Sequence, residues 1–121
     1  MNVITYETCI KIYTSRVNAG TLRDPNLLKS AIETPDTAFG GISLYPTVIQ
    51  KAARLAYGIS QAQAFTDGNK RLAWLCMITF LSANGLKLSV GQEQAAELLL
   101  KLANKELSLE DFSDFLNSHI E

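Results

Sequence analysis

The stretch QAFTDGNKRLAWLCMITFL, residues 63–81, decides the fold of this protein. Its second half, from Leu72 to Leu81, is apolar at every position but one threonine. On a helix, such a run places apolar side chains on nearly all faces, which is typical of a helix surrounded by other elements. We therefore predict a buried helix at the centre of a bundle, ended by the Asn84-Gly85 pair.

A polar turn leads directly into this central helix. Asp67-Gly68 is a turn former, and Asn69 stands where the helix N-cap is expected. The free N–H groups of the first turn, together with Lys70 and Arg71, favour an anion such as phosphate. Asp67 offers an oxygen ligand for a magnesium ion that bridges to a polyphosphate. Taken alone, the same residues also fit a capped helix start whose basic side chains are solvated.

Two helices are predicted before the first long loop. One runs from about Thr5 to Asn18, where apolar side chains recur every three or four residues, and Gly20 closes it. The next has Asp24 as its N-cap and Pro25 in its first turn, and it must end before Pro35.

The segment from Thr34 to Tyr45 contains turn formers and no helical period, so it is predicted as a surface loop or a small hairpin. Pro46 then opens an amphipathic helix in which Lys51 and Arg54 point away from the apolar face. Two further helices follow, and their predicted caps are the pairs Ser89 with Gln92 and Ser108 with Asp111.

These elements predict an all-α bundle of about six helices in a single domain, residues 1–121. Eleven Lys and Arg against twelve Asp and Glu leave no basic field, which disfavours generic nucleic-acid binding, and no apolar run is long enough for a membrane. Cys9 and Cys76 form no C-x-x-C pair and the chain start lacks a leader pattern, so we expect reduced, buried thiols in a cytoplasmic protein. The only histidine is His119, which leaves little material for a histidine-based metal site.

The run from Leu22 to Gly85 resembles the Doc branch of the Fic/Doc (Fido) superfamily, the death-on-curing toxins. The resemblance rests on QAFTDGNKRLAW, on FLSANG and on the order of the elements before them. Superfamily members carry the motif H-x-F-x-[DE]-G-N-[GK]-R, and Lys70 matches Doc rather than the AMP-transferring Fic enzymes. Trp74 stands where many of those enzymes have an arginine.

The resemblance implies a small all-helical fold in which Phe39, Gly40 and Gly41 form a flap over the site. It also implies a kinase that uses Mg²⁺ and moves the γ-phosphate of ATP onto a hydroxyl of a translation elongation factor. Doc toxins are held inactive by a Phd-like antitoxin, which is therefore the expected partner. The roles implied for the motif are metal binding by Asp67, shaping of the phosphate cradle by Gly68 and Asn69, neutralisation of phosphate charge by Lys70 and Arg71, and packing beneath the loop by Phe65.

Gln63 departs from this pattern, because active relatives have histidine at the motif's first position. A carboxamide cannot take the proton from an attacking hydroxyl near neutral pH, and losing a general base costs a factor of about 10² to 10⁴ in rate. Nothing aims His119 at the loop as a substitute. Gln63 is then a natural change that leaves little activity, or a deliberate change that makes a toxin easier to produce. A third alternative is that Gln63 only orients the acceptor hydroxyl while the phosphate itself or water receives the proton, which leaves slow turnover. The alternative function is an inactive homologue that binds nucleotide or antitoxin.

Overall fold

A computed structural model describes residues 3–121, and Met1 and Asn2, the start of the expected domain, lie outside this range. The predicted all-α bundle is confirmed over the described residues. The helices are α1 (Tyr6–Ile12), α2 (Pro25–Glu33), α3 (Val48–Ala62), α4 (Asn69–Ala83), α5 (Gln92–Ala103) and α6 (Leu109–Ser118). Shorter elements are a π-helical turn (Tyr13–Val17), a 3₁₀ turn (Thr34–Asp36) and the strands β1 (Ala38–Phe39) and β2 (Ile42–Ser43).

The core lies between α3 and α4, which are the most extensively packed pair of helices. The apolar run in α4 is buried as predicted, and α1, α3 and α5 pack around it. Helix α3 is equally central, because it contacts α2, α4, α5 and α6. Its buried face includes small residues that allow close approach, namely Ala52, Ala53, Ala56 and Gly58. No helix within residues 3–121 has the length and apolar character needed to span a membrane.

The first helix is shorter than its periodicity predicts. Thr5 caps α1, but the α-helical geometry ends at Ile12 and a π-helical turn follows. The left-handed residue Asn18, with a φ of 44°, ends that turn, and its N–H donates to the Tyr13 carbonyl. The prediction that Gly20 closes the helix is therefore wrong. Gly20 instead lies against Thr66, where a β-carbon would have no room.

Two of the predicted helix starts also differ in detail. Pro46 precedes α3 without belonging to it, since the N-cap is Thr47, whose side chain forms a reciprocal capping box with Gln50. The predicted cap of Ser89 with Gln92 is wrong, because α5 begins at Gln92 itself and Gly91 is its N-cap. At α6 the prediction is confirmed, since Ser108 accepts a hydrogen bond from the Asp111 N–H.

Lys51 does not point away from the core as predicted. Its residue is only 8% exposed, and its Nζ donates to the Pro35 carbonyl at 2.9 Å. The same ammonium lies 3.5 Å from the Asp36 carboxylate and 3.4 Å from the Ser43 hydroxyl. A buried ammonium requires such partners, and here they belong to the 3₁₀ turn and β2. Lys51 therefore fastens the hairpin, the predicted irregular segment, to the first half of α3.

Two free thiols meet inside the core. The Cys76 thiol of α4 donates to the Cys9 sulfur of α1 at 3.3 Å, and both residues are fully buried. The predicted buried, unbridged cysteines are thus confirmed. The hydrogen bond to Cys9 and the loss of water on burial raise the pKa of Cys76 far above its ordinary range.

We expect alkaline pH to destabilise the fold through Cys76. Above about pH 8.5 an unfolded cysteine loses its proton, whereas the buried thiol keeps it. The unfolded state then binds fewer protons, so the free energy of unfolding falls by up to about 1.4 kcal/mol per pH unit. Denaturant titrations at neutral pH and at about pH 10 measure this loss, which should be smaller for Cys76→Ala than for the unaltered protein. Equal losses would contradict the assignment.

Candidate functional site

The loop between α3 and α4 and the first turn of α4 surround a cleft of about 310 Å³. Most of the residues singled out from the sequence meet there. The lining consists of Gln63, Thr66, Asp67, Gly68, Asn69, Lys70 and Arg71. Phe65 lies beneath the loop and is 3% exposed.

Asn69 does not cap the central helix, which corrects the sequence prediction. It is the first residue of α4, and its buried amide turns back to the loop. The side-chain oxygen accepts from the Phe65 N–H at 3.1 Å, and the side-chain nitrogen donates to the Phe65 carbonyl at 2.9 Å. An amide can satisfy both backbone groups of one residue because it carries a donor and an acceptor. Asn69 therefore closes the loop onto the start of the helix.

Gly68 takes the N-cap position instead. Its φ of 81° lies in the left-handed region, which glycine adopts without a steric penalty. A β-carbon at this position would lie 2.5 Å from the Val17 Cγ1 and 3.2 Å from the Ala19 β-carbon. Glycine is thus required both by the backbone and by the close packing of the π-helical turn against the loop.

Tyr13 supports the loop from below, a role that the sequence analysis missed. Its ring stacks on Phe65 with 3.6 Å between centroids and 16° between planes. Its hydroxyl donates to the Asp67 carbonyl at 2.8 Å. Tyr13 lies within the first predicted helix, and only the tertiary structure shows that its hydroxyl reaches a loop far along the chain.

The segment at residues 21–24 pairs with the loop like a short antiparallel strand. The Thr66 N–H donates to the Thr21 carbonyl at 2.9 Å, and the N–H groups of Arg23 and Asp24 both donate to the Ala64 carbonyl. The Thr21 N–H donates in turn to the Thr66 hydroxyl. These bonds attach the loop to the 21–24 segment, in addition to its contacts with Tyr13.

Backbone N–H groups and basic side chains give the cleft a positive character. The Asp67 carboxylate accepts a hydrogen bond from the Gly68 N–H at 2.7 Å. The next three N–H groups, those of Asn69, Lys70 and Arg71, lie in the first turn of α4, where no preceding helical carbonyl can accept their hydrogen bonds. The side chains of Lys70 and Arg71 are exposed, and neither forms an ion pair within residues 3–121. Unpaired cations beside free N–H groups provide the interactions that phosphate requires.

Among residues 3–121, Asp67 is the one carboxylate that lines the cleft. One of its oxygens already accepts from Gly68, and its side chain is on the exposed side of the loop. No group of three or more histidine, cysteine, aspartate or glutamate residues in the described part of the chain forms a metal cage. This donor set fits magnesium, which is commonly held by one or two carboxylates together with substrate phosphates and water.

Gln63 is the C-cap of α3 and has a left-handed backbone, with φ of 53° and ψ of 40°. Its side chain is exposed at the cleft, and its Nε2 donates weakly to the Ser60 carbonyl at 3.3 Å. The Gln63 carbonyl accepts a hydrogen bond from the guanidinium of Arg23, another contact that the sequence analysis missed.

Two sequence candidates lie elsewhere. Phe39, Gly40 and Gly41 form the turn region of the hairpin and do not line the cleft. The hairpin is fastened to α3 at Lys51. The rise of 1.5 Å per residue puts Lys51 about 18 Å from Gln63 along the helix axis. His119 ends α6, where its ring stacks on Phe115 and its Nδ1 lies 2.8 Å from the Phe115 carbonyl.

Together these features define an all-α protein with a positively charged cleft at the start of its central helix. Residues 4–81 match the Fic/DOC family model, which covers more than half of the chain. The protein therefore belongs to the Fic/Doc family. It is similar to the Toxin Doc of Mycolicibacterium smegmatis, with 33% identity over 94 residues that cover 76% of this chain and 72% of the relative.

The family match ends at Leu81, inside α4. It therefore includes the hairpin, the cleft and most of the central helix. Helices α5 and α6 lie beyond it, although Leu99, Leu102, Phe112 and Leu116 from these helices complete the core.

Gly68→Ala is expected to destabilise the fold and deform the cleft. The new methyl group would meet Val17 and would also be strained at positive φ, so we expect the free energy of unfolding to fall by about 2 to 3 kcal/mol. Gly85→Ala is the matched control, because Gly85 also has positive φ but has open space around its β-carbon position. Urea titrations compare the two, and an equal loss in both variants would refute the packing argument.

Proposed function

We propose that this protein is a Doc-like toxin whose cleft binds the phosphates of ATP with Mg²⁺ and transfers the γ-phosphate to a hydroxyl of a translation elongation factor. The observation that carries the proposal is the cleft itself, which joins three helix N–H groups, two unpaired cations and one carboxylate. The similarity to a Doc toxin supports the same function. A Phd-like antitoxin is the proposed inhibitor, and the cytoplasm the proposed location.

Phosphoryl transfer depends mainly on positioning and on neutralising charge. Lys70, Arg71 and the first N–H groups of α4 would hold the phosphate oxygens, and Asn69 and Gly68 keep those N–H groups in place. Asp67 would hold the magnesium ion, whose charge would offset that of the phosphates when it is bound. Phe65 and Tyr13 support the loop from the core and need not touch the nucleotide.

Gln63 limits the proposed reaction. It lines the cleft at the position where the family motif has histidine, and its neutral amide cannot accept the proton of the attacking hydroxyl. The remaining interactions still hold the reactants and neutralise charge. We therefore propose slow transfer, in which Gln63 orients the acceptor hydroxyl and the proton of that hydroxyl passes to the transferred phosphate or to water.

A second candidate function follows from the same residue. With an amide at position 63 and the phosphate cradle intact, the protein would bind nucleotide or antitoxin without turnover. This binding module acts by occupancy. Both proposed functions use the same cleft. They differ in whether restoring a general base at position 63 would be sufficient to produce phosphate transfer.

Nucleotide binding is tested first. We expect Arg71→Ala to weaken the affinity for ATP with Mg²⁺ about tenfold or more, because a hydrogen bond between charged groups contributes about 1.5 to 3 kcal/mol. Lys101→Ala removes the same charge from α5, where Lys101 pairs with Glu97, and should leave the affinity unchanged. Isothermal titration calorimetry measures both. Equal affinity in Arg71→Ala and the unaltered protein would remove Arg71 from the site.

Catalysis is tested by Gln63→His. Histidine tolerates the left-handed backbone of this position, so the variant should fold. We expect phosphate incorporation into the elongation factor to rise by about 10² to 10⁴, and expression to arrest growth. Gln63→Asn is the control, because it keeps a neutral amide and should gain nothing.

The result separates the two proposed functions. A folded Gln63→His protein that binds ATP but transfers no phosphate would exclude the kinase and leave the binding module. Absence of ATP binding in all variants would exclude nucleotide as the ligand of the cleft.

A further inference from the structure

Residue 63 has a backbone conformation that costs energy. Within residues 3–121, the non-glycine residues with positive φ are Asn18, Gln63 and Lys105, and only Gln63 lines the cleft. Such a conformation is sterically disfavoured for a residue with a β-carbon, and it persists where the surroundings impose it. The contacts that impose it therefore determine where the side chain of residue 63 points.

Arg23 forms a direct hydrogen bond with the backbone of residue 63. The backbone bonds of the 21–24 segment reach Ala64 and Thr66 but not Gln63. The Gln63 carbonyl receives its hydrogen bond from the Arg23 Nη2. As the C-cap of α3, Gln63 has a carbonyl outside the helical ladder, and this charged donor satisfies it.

We propose that Arg23 is a positioning residue, whose guanidinium holds residue 63 in its left-handed conformation beside the cleft. Any effect of Arg23 on catalysis presupposes the kinase activity proposed above. Arg23 is not among the residues that line the cleft, so it acts through residue 63 rather than on the phosphates. Its side chain is exposed, and the backbone bonds of its segment do not depend on it, so substituting it should leave the fold intact.

The first experiment is independent of any activity. Backbone carbon-13 shifts and the coupling between the amide and α protons of residue 63 report its φ angle in solution. We expect Arg23→Ala to move both values of residue 63 toward those of an ordinary helix end or a mixture, and Arg23→Lys to retain them, since one N–H donor is sufficient for one carbonyl. Lys101→Ala is the charge-matched control and should change neither. Unchanged values in Arg23→Ala would overturn the proposal.

The second experiment measures the catalytic consequence in the Gln63→His background. We expect Arg23→Ala to lower kcat about 10- to 100-fold, the effect of a misplaced catalytic group, with the KM for ATP unchanged, and Arg23→Lys to restore most of the loss. A raised KM with unchanged kcat would show that Arg23 holds phosphate and would overturn the positioning role.

The two experiments fail separately. Loss of the left-handed backbone in Arg23→Ala, in a protein whose Gln63→His form transfers no phosphate, would support the positioning of residue 63 and refute the kinase. Transfer by Gln63→His that is unaffected by Arg23→Ala would support the kinase and overturn the role of Arg23.

Discussion

The architecture of the cleft depends on the buried amide of Asn69. Its two hydrogen bonds satisfy both backbone groups of Phe65, and they join the end of the loop to the start of α4. A side chain that lacked either the donor or the acceptor would leave a buried backbone group unsatisfied, at a cost of about 1 to 3 kcal/mol. Because the loop closes in this way, Gly68 becomes the cap, and the first N–H groups of the central helix are left facing the cleft. The positive character of the site is thus a result of backbone closure as much as of basic side chains.

Most backbone carbonyls of the loop accept hydrogen bonds, whereas the first N–H groups of α4 have no helical partner. Carbonyls of residues 63, 64, 65 and 67 accept bonds from Arg23, Asp24, Asn69 and Tyr13, which approach from different parts of the chain. Occupied carbonyls cannot repel an incoming anion as strongly as free ones would. The site is consequently preorganised for negative charge, as efficient phosphoryl transfer requires. The arrangement is compatible with both proposed functions, which differ in the role of Gln63.

Much of this structure could be predicted from local signals. The apolar run of α4, the Asp24 cap with Pro25 and the polar turn before α4 are set by neighbouring residues, and all were correctly placed as elements. The errors arose where hydrogen bonds that capping and periodicity rules do not describe decide the structure. Asn69 prefers the Phe65 backbone to a cap, and Lys51 is buried because Pro35 and Asp36 offer oxygen atoms. The contacts of Tyr13 and Arg23 with the loop span 54 and 40 residues, so no periodicity or cap could reveal them.

The small residues of α3 have a consequence for how this protein tolerates change. Ala52, Ala53, Ala56 and Gly58 let four other helices approach one rod that ends at Gln63. At Gly58, even a β-carbon would stand 3.1 Å from the Arg54 guanidinium and 3.4 Å from Ala31. A bulkier side chain anywhere along this face would have to be accommodated by displacing the rod, since close-packed interiors transmit strain. Residues remote from the cleft thus share control over the placement of Gln63, and substitutions are constrained along the buried face of α3.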